Sequence, residues 1–293
     1  MDIEITIHQP FSLTSVVKSH GWVQLRPFIW EPGEGILSYT DKLPTGPIAK
    51  YQISATETGV NINVAGNLTG QERLEIGARA AWMLAAEQDL SGFYQAASGE
   101  PKLKRAVNEV QGRILRCATV FEDVLKTMLT TNTAWSGTIR MVNTLIELYG
   151  EPLQGDATTL AFPTPGILAK SSEVELRERA RLGYRAPYVL ELARSVESGE
   201  LELEAYKHTT LPTEELRKEL LAIKGIGQYA AANLLMLLGR YDYVPIDSWA
   251  LKTVSGEWFN DEPVNKEQVE QVFQRWGEWK GLVYWFWDYS SDD

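Results

Sequence analysis

The spacing of apolar positions changes near residue 70. Before it, apolar and polar residues alternate, in Ile3-Glu4-Ile5-Thr6-Ile7, in Tyr51-Gln52-Ile53-Ser54-Ala55 and in Val60-Asn61-Ile62-Asn63-Val64, with the turn signal Glu57-Thr58-Gly59 between the last two. Alternation gives a strand one buried face, so this region predicts a small antiparallel sheet with a hairpin. From Thr69 onward Leu74, Ile76, Ala80, Met83 and Leu84 recur at roughly helical spacing, and helix is expected to dominate to the C-terminus. Residues 122–129 and 139–149 read as two helices. The stretch Thr130-Thr131-Asn132-Thr133 separates them, because these side chains compete for backbone hydrogen bonds. Phe162-Pro163-Thr164-Pro165 stops one element and opens the next, residues 173–180 continue helically until Gly183, and residues 188–197 form another helix. A helix beginning at Thr213 after Pro212 meets an apolar helix over 229–238 across Lys224-Gly225-Ile226-Gly227-Gln228. The expectation is an α+β protein, mostly helical, with a small N-terminal antiparallel sheet. Its domains are a sheet-plus-helix domain over 1–108 and a helical domain over 109–293.

Composition narrows the setting. With 293 residues and 44% hydrophobic content the chain can bury a substantial core. Its longest apolar runs, such as 229–238, fall short of the ~18 to 20 residues a membrane span needs. The alternating N-terminus reads as a strand, not as a signal peptide. A single cysteine, Cys117, excludes an internal disulfide and any four-thiolate zinc or iron-sulfur site, and points to a reducing, cytoplasmic setting with no metal or cofactor. The net charge of −11 weighs against a nucleic-acid partner, but net charge describes the whole surface and binding can rest on one basic or amide-lined face.

Such a face is offered by Lys224-Gly225-Ile226-Gly227-Gln228. Two glycines two apart permit a tight turn, and without side chains the amides that start the next helix can approach a phosphate. The alternative is that Gly225 merely ends one helix and Gly227 relaxes the connection. Asp247 lies further on, in Val244-Pro245-Ile246-Asp247-Ser248-Trp249, and has two readings as well: a helix N-cap, or a carboxylate that stabilises developing positive charge.

Hairpin and aspartate together resemble the helix-hairpin-helix DNA glycosylase superfamily. Residues 121–150, Phe162-Pro163, Leu182-Gly183-Tyr184-Arg185-Ala186 and residues 265–287 look like segments of 8-oxoguanine DNA glycosylases, and the N-terminal sheet and overall layout are similar to the 3-methyladenine DNA glycosylase II type. The resemblance implies that the hairpin, within 214–238, grips DNA through Gly225, Gly227 and Gln228; Lys224 and Lys252, isolated lysines near such a site, are expected on phosphates. It implies that Asp247 serves the chemistry. The lysine nucleophile of strand-cleaving members sits two residues after the second hairpin glycine, where this chain has Tyr229, so hydrolysis without a Schiff base is expected. By the same resemblance Tyr184 wedges into the duplex at the lesion, Arg185 contacts the base left unpaired and Asn132 enters the gap. Gly137 stands where the family carries a second arginine for the opposite cytosine.

Residues 276–287 are unusually aromatic. Large aromatics at helical spacing are usually core, yet their faces also stack on flipped bases, electron-poor alkylated purines most strongly. Tyr229, Trp249, Tyr284, Trp285 and Asp288 are the candidate base pocket. Tyr284 and Asp288 replace the glutamine and phenylalanine that 8-oxoguanine enzymes turn to their base, which weighs against that lesion. The expected function is a monofunctional glycosylase, a monomer acting on a damaged, alkylated purine in double-stranded DNA, in the cytoplasm, on a bacterial nucleoid or in a eukaryotic nucleus. The alternatives are an 8-oxoguanine glycosylase with altered base contacts and a catalytically silent DNA-binding protein.

Overall fold

The computed structural model describes residues 2–287. Its N-terminal sheet has five antiparallel strands, β1 (Asp2–Thr6), β2 (Ile29–Glu31), β3 (Ile36–Lys42), β4 (Ile48–Ala55) and β5 (Gly59–Val64), in the order β1-β5-β4-β3-β2. The hairpin expected from alternation is β4–β5, with Ile53 opposite Ile62 and Ala55 opposite Val60. Leu37, Tyr39, Tyr51, Ile53, Val60 and Ile62 are all buried. The Gly70–Met83 helix starts in a capping box, Thr69 with Glu72. Its Arg79 reaches Asp41 on β3 at 2.6 Å. A second, small hairpin over Pro152–Leu153 and Asp156–Leu160, numbered β6 and β7, lies within the half read as helical. Asp156 fixes its turn by accepting from the Thr158 amide at 2.9 Å and the Thr159 hydroxyl at 2.6 Å.

The two helices read on either side of the threonine-rich break are Val120–Thr130 and Trp135–Tyr149. Thr130 and Thr131 donate their hydroxyls to the Thr127 and Met128 carbonyls at 2.7 and 2.9 Å, closing the first helix. That helix is buried from Val120 through Leu129, including Glu122, Asp123 and Lys126. Lys126 Nζ lies 2.6 Å from Glu122 Oε1, close enough for a strong ion pair though not aligned as a hydrogen bond, and faces the rings of Phe28 and Phe162. Glu122 Oε2 accepts from the Tyr39 hydroxyl at 2.5 Å, tying the helix to β3. Asp123 accepts from Trp22 Nε1 at 2.8 Å and the Cys117 amide at 3.0 Å. Burial pushes the Cys117 thiol well up, which keeps it neutral and inert.

Contacts gather the chain into two compact units, Met1–Asp89 with Arg113–Thr209, and Leu90–Gly112 with Thr210–Asp293. The boundary expected at 108 therefore falls inside a segment of the second unit. Leu90–Gly112 belongs there because Phe93 packs on Trp279 and Phe286, Lys102 pairs with Glu257 at 3.2 Å and Arg275 with Glu100 at 3.0 Å. Within this unit Phe273, Trp276, Phe286 and Trp287 are buried, so most of the aromatic tail is core. No helix among the described residues is long and apolar enough to cross a membrane.

Candidate active site

The Thr213–Ala222 and Gln228–Leu237 helices flank the glycine turn. Ile223 leaves the first helix in an extended conformation, and Ile226 N donates to the Ile223 carbonyl at 3.0 Å to close the turn. Gly225 sits at φ +90°, where a side chain would be strained. Ile223 and Ile226 are buried and anchor the loop, while Lys224, Gly227, Gln228 and Tyr229 are exposed. Gly227 is the N-cap of the second helix and supplies no side chain to its first amides. A Cβ at 227 would meet nothing within 4 Å, so no protein neighbour demands glycine there and the space is open to a partner. Exposed first-turn amides at the positive end of a helix suit an anion. Beside them Arg217 donates to Gln228 Oε1 at 2.8 Å and pairs with Glu214 at 3.0 Å. No spacing or motif in the sequence marks Arg217.

Asp247 caps the Ser248–Trp258 helix, its Oδ1 accepting from the Ala250 amide at 2.8 Å. The same Oδ1 accepts from the Tyr284 hydroxyl at 2.9 Å, whereas Oδ2 has no hydrogen bond among the described residues. Capping thus uses one carboxylate oxygen and leaves the other for chemistry. Trp249 and Tyr229 are exposed, at 43% and 55%, unusual for large aromatics. The Trp249 ring meets Tyr284 edge-on with centroids 4.8 Å apart. Burial, Asp247's negative charge and the hydrogen bond between them raise Tyr284's proton affinity far above a free tyrosine's, with Tyr229 adding to the shift. Lys252 is exposed on the Ser248–Trp258 helix. Trp285 is half-buried and, one residue on from Tyr284 in the Lys280–Phe286 helix, points about 100° away around its axis. Asp288 lies outside the described residues.

Tyr284 reaches Asp247 because its helix lies directly on the segment that leads to the aspartate. Gly281 N donates to the Tyr241 carbonyl at 2.6 Å, and a Cβ there would stand 2.5 Å from the Tyr243 carbonyl oxygen and 2.7 Å from that of Tyr241. A glycine inside an aromatic helix is a sequence signal of close backbone approach that apolar periodicity does not carry. Both obstructing atoms are backbone, so Gly281→Ala is expected to cost about 1–3 kcal/mol. Urea unfolding checks this, and a variant within 0.5 kcal/mol of the parent, about the spread of ordinary surface changes, would show that the seat is not tight.

In the first unit, Asn132 and Tyr184 form an exposed pair, Asn132 Nδ2 donating to the Tyr184 hydroxyl at 3.3 Å. Asn132 takes a left-handed conformation, φ +48°, as suits a turn asparagine. Arg185 is buried beneath them, its guanidinium donating to the Thr131 carbonyl and lying 4.5 Å from the Tyr184 ring centroid. In this arrangement Arg185 supports the Asn132 loop and the Tyr184 ring instead of standing free at the surface.

A model of the HhH-GPD superfamily base excision DNA repair protein matches residues 125–278. The chain is 24% identical over 207 residues to the DNA-3-methyladenine glycosylase of Bacillus subtilis, a span of 68% of this chain and 67% of that protein. Among solved structures it is similar to the 3-methyladenine DNA glycosylase from Archaeoglobus fulgidus, with a TM-score of 0.74 and 21% identity over 98% of this chain and 97% of the other. It is also similar to the Clostridium acetobutylicum 8-oxoguanine glycosylase/lyase in complex with double-stranded DNA containing cytosine opposite 8-oxoG, with a TM-score of 0.72 and 20% identity over 98% and 97%. Both likenesses bear out the α+β, mostly helical fold with its small N-terminal sheet. The chain belongs to the HhH-GPD superfamily of base excision DNA repair proteins, and within it is a DNA glycosylase.

Proposed function

We propose that this protein hydrolyses the N-glycosidic bond of a damaged, alkylated purine flipped out of double-stranded DNA, without cleaving the strand. The observation that carries this reading is the Asp247 carboxylate, held by two donors on one oxygen, open on the other, and flanked by the aromatic rings of Trp249 and Tyr284. As the base leaves, positive charge builds on the sugar, and a fixed carboxylate lowers the energy of that state while orienting the attacking water. Aromatic faces favour a base that itself carries positive charge, as an N-alkylated purine does. Tyr229, at the start of the Gln228–Leu237 helix, has a phenol where strand-cleaving enzymes need an amine, which supports hydrolysis. The hairpin amides with Lys224 and Lys252 hold phosphates in this reading, and Tyr184 with Asn132 fills the gap left by the flipped nucleotide. The protein works as a monomer, wherever the DNA of its cell resides.

Duplexes carrying 7-methylguanine, 3-methyladenine, hypoxanthine or 8-oxoguanine, scored separately for free base and for strand breaks before alkali, test the proposal. Release of an alkylated base, strands intact and no covalent complex trapped by borohydride, is the expected result. Release of 8-oxoguanine alone would favour the enzyme with altered base contacts, strand cleavage with trapping would sink the hydrolytic mechanism, and no release from any duplex would leave a DNA-binding protein.

A further inference from the structure

We infer that Tyr284 is the positioning residue for Asp247: its hydroxyl and the Ala250 amide share Oδ1, so that Oδ2 is the oxygen presented to the sugar. The inference rests on the catalytic reading of Asp247. A carboxylate capped by one amide can still rotate about its last torsion, exchanging the two oxygens. A second donor on the same oxygen, from a different element, removes that freedom. Tyr284 is suited to supply it because its own ring is immobilised. It is buried, it meets Trp249 edge-on at 4.8 Å and Phe273 edge-on at 5.7 Å, and its helix is seated through Gly281 on the chain that runs from Tyr241 into Asp247. Packing alone would be served by phenylalanine, since a buried hydroxyl is costly unless it is hydrogen-bonded. Asp247 and Tyr229 are the titratable groups facing Tyr284, and the hydroxyl keeps its proton, so it is a donor wherever the enzyme works. Contact with Trp249 extends the device to the substrate: a base stacked on Trp249 would press on the ring that holds the carboxylate.

The test needs no knowledge of the lesion. Two duplexes are compared, one with a pyrrolidine abasic analogue, whose protonated ring nitrogen mimics the sugar cation, and one with the neutral tetrahydrofuran analogue. The ratio of their dissociation constants reports how well the carboxylate addresses positive charge, independently of general DNA binding. The parent protein is expected to prefer the pyrrolidine duplex. Tyr284→Phe should reduce that preference about tenfold, as befits loss of a hydrogen bond to a charged group. It should leave tetrahydrofuran binding within about twofold, and Asp247→Asn should abolish the preference. If Asp247→Asn loses the preference while Tyr284→Phe keeps it, the role of Tyr284 is overturned and that of Asp247 stands. Equal weakening on both duplexes by Tyr284→Phe would make the tyrosine merely structural and overturn the inference too. A parent without preference, or an Asp247→Asn variant that retains it, would overturn the catalytic reading of Asp247 itself.

Discussion

Asp247→Asn is expected to lower single-turnover base excision by about a thousandfold on the best substrate, the scale of loss when a preorganised stabiliser of transition-state charge is removed. Asparagine separates the two duties of the residue. Its amide oxygen can still accept from Ala250 N and from the Tyr284 hydroxyl, as Asp247 Oδ1 does, and asparagine caps helices about as well as aspartate. What changes is the oxygen with no partner, Oδ2, which becomes a neutral NH2 and can neither stabilise a cation nor orient water as a base. The substitution should therefore leave the melting temperature within about 2 °C of the parent, and affinity for a tetrahydrofuran duplex essentially unchanged. Asp247→Ala removes both functions and should in addition cost about 1 kcal/mol of stability. A fully active Asp247→Asn protein would show that the aspartate is a cap and nothing more.

Lys126→Met should destabilise the protein by about 3–5 kcal/mol at pH 8, because it leaves the Glu122 carboxylate buried without its cation. In the parent, burial works against the Lys126 charge, but its acidic surroundings, with the Glu122 and Asp123 carboxyls on the same helix, more than offset it and raise its proton affinity. An unpaired buried carboxylate is costly only in its charged form, so the cost should be greatest at pH 8 and shrink as the pH falls. Each pH must be read as a difference from the parent. Burial pushes Asp41 and Asp123 up to about 6, which lowers stability as pH rises from about 4 to 6, and it pushes His20 down to about 4, which has the opposite sign between about 4 and 6.5. The double change Lys126→Met with Glu122→Gln should recover most of the loss, since glutamine still accepts from the Tyr39 hydroxyl. A pH-independent cost below about 1 kcal/mol would mean that the ion pair is dispensable.

Several parts of the site were legible because they are local. Gly225 and Gly227 mark the hairpin through backbone needs that any sequence must meet with glycine or leave open space for, Pro212 marks one helix start by its position just before Thr213, and Asp247 marks another through capping chemistry. Thr130 and Thr131 end a helix by bonding their own preceding carbonyls. Other parts were not, because a side chain's neighbour across the fold leaves no imprint on spacing. Lys126 reads as one more polar position in an amphipathic helix, yet no part of its side chain is exposed, and Arg185, expected by resemblance to contact the base left unpaired, is held under Asn132 and Tyr184. The β6–β7 hairpin leaves no mark on the pattern because its strands are too short to establish a period.

By itself, then, the sequence determined the alternating sheet, the helices with their caps and breaks, the glycine turn and an aspartate at a helix start. Each follows from interactions within a few residues, where sequence and geometry are tied by the backbone. Only the tertiary structure decided that Leu90–Gly112 packs with the C-terminal unit, that the aromatic tail is largely core, and that Tyr284 shares Asp247's Oδ1 while Oδ2 stays open. These depend on which surfaces meet after folding. A close approach such as Gly281 against the Tyr241 and Tyr243 carbonyls brings together atoms that lie far apart along the chain.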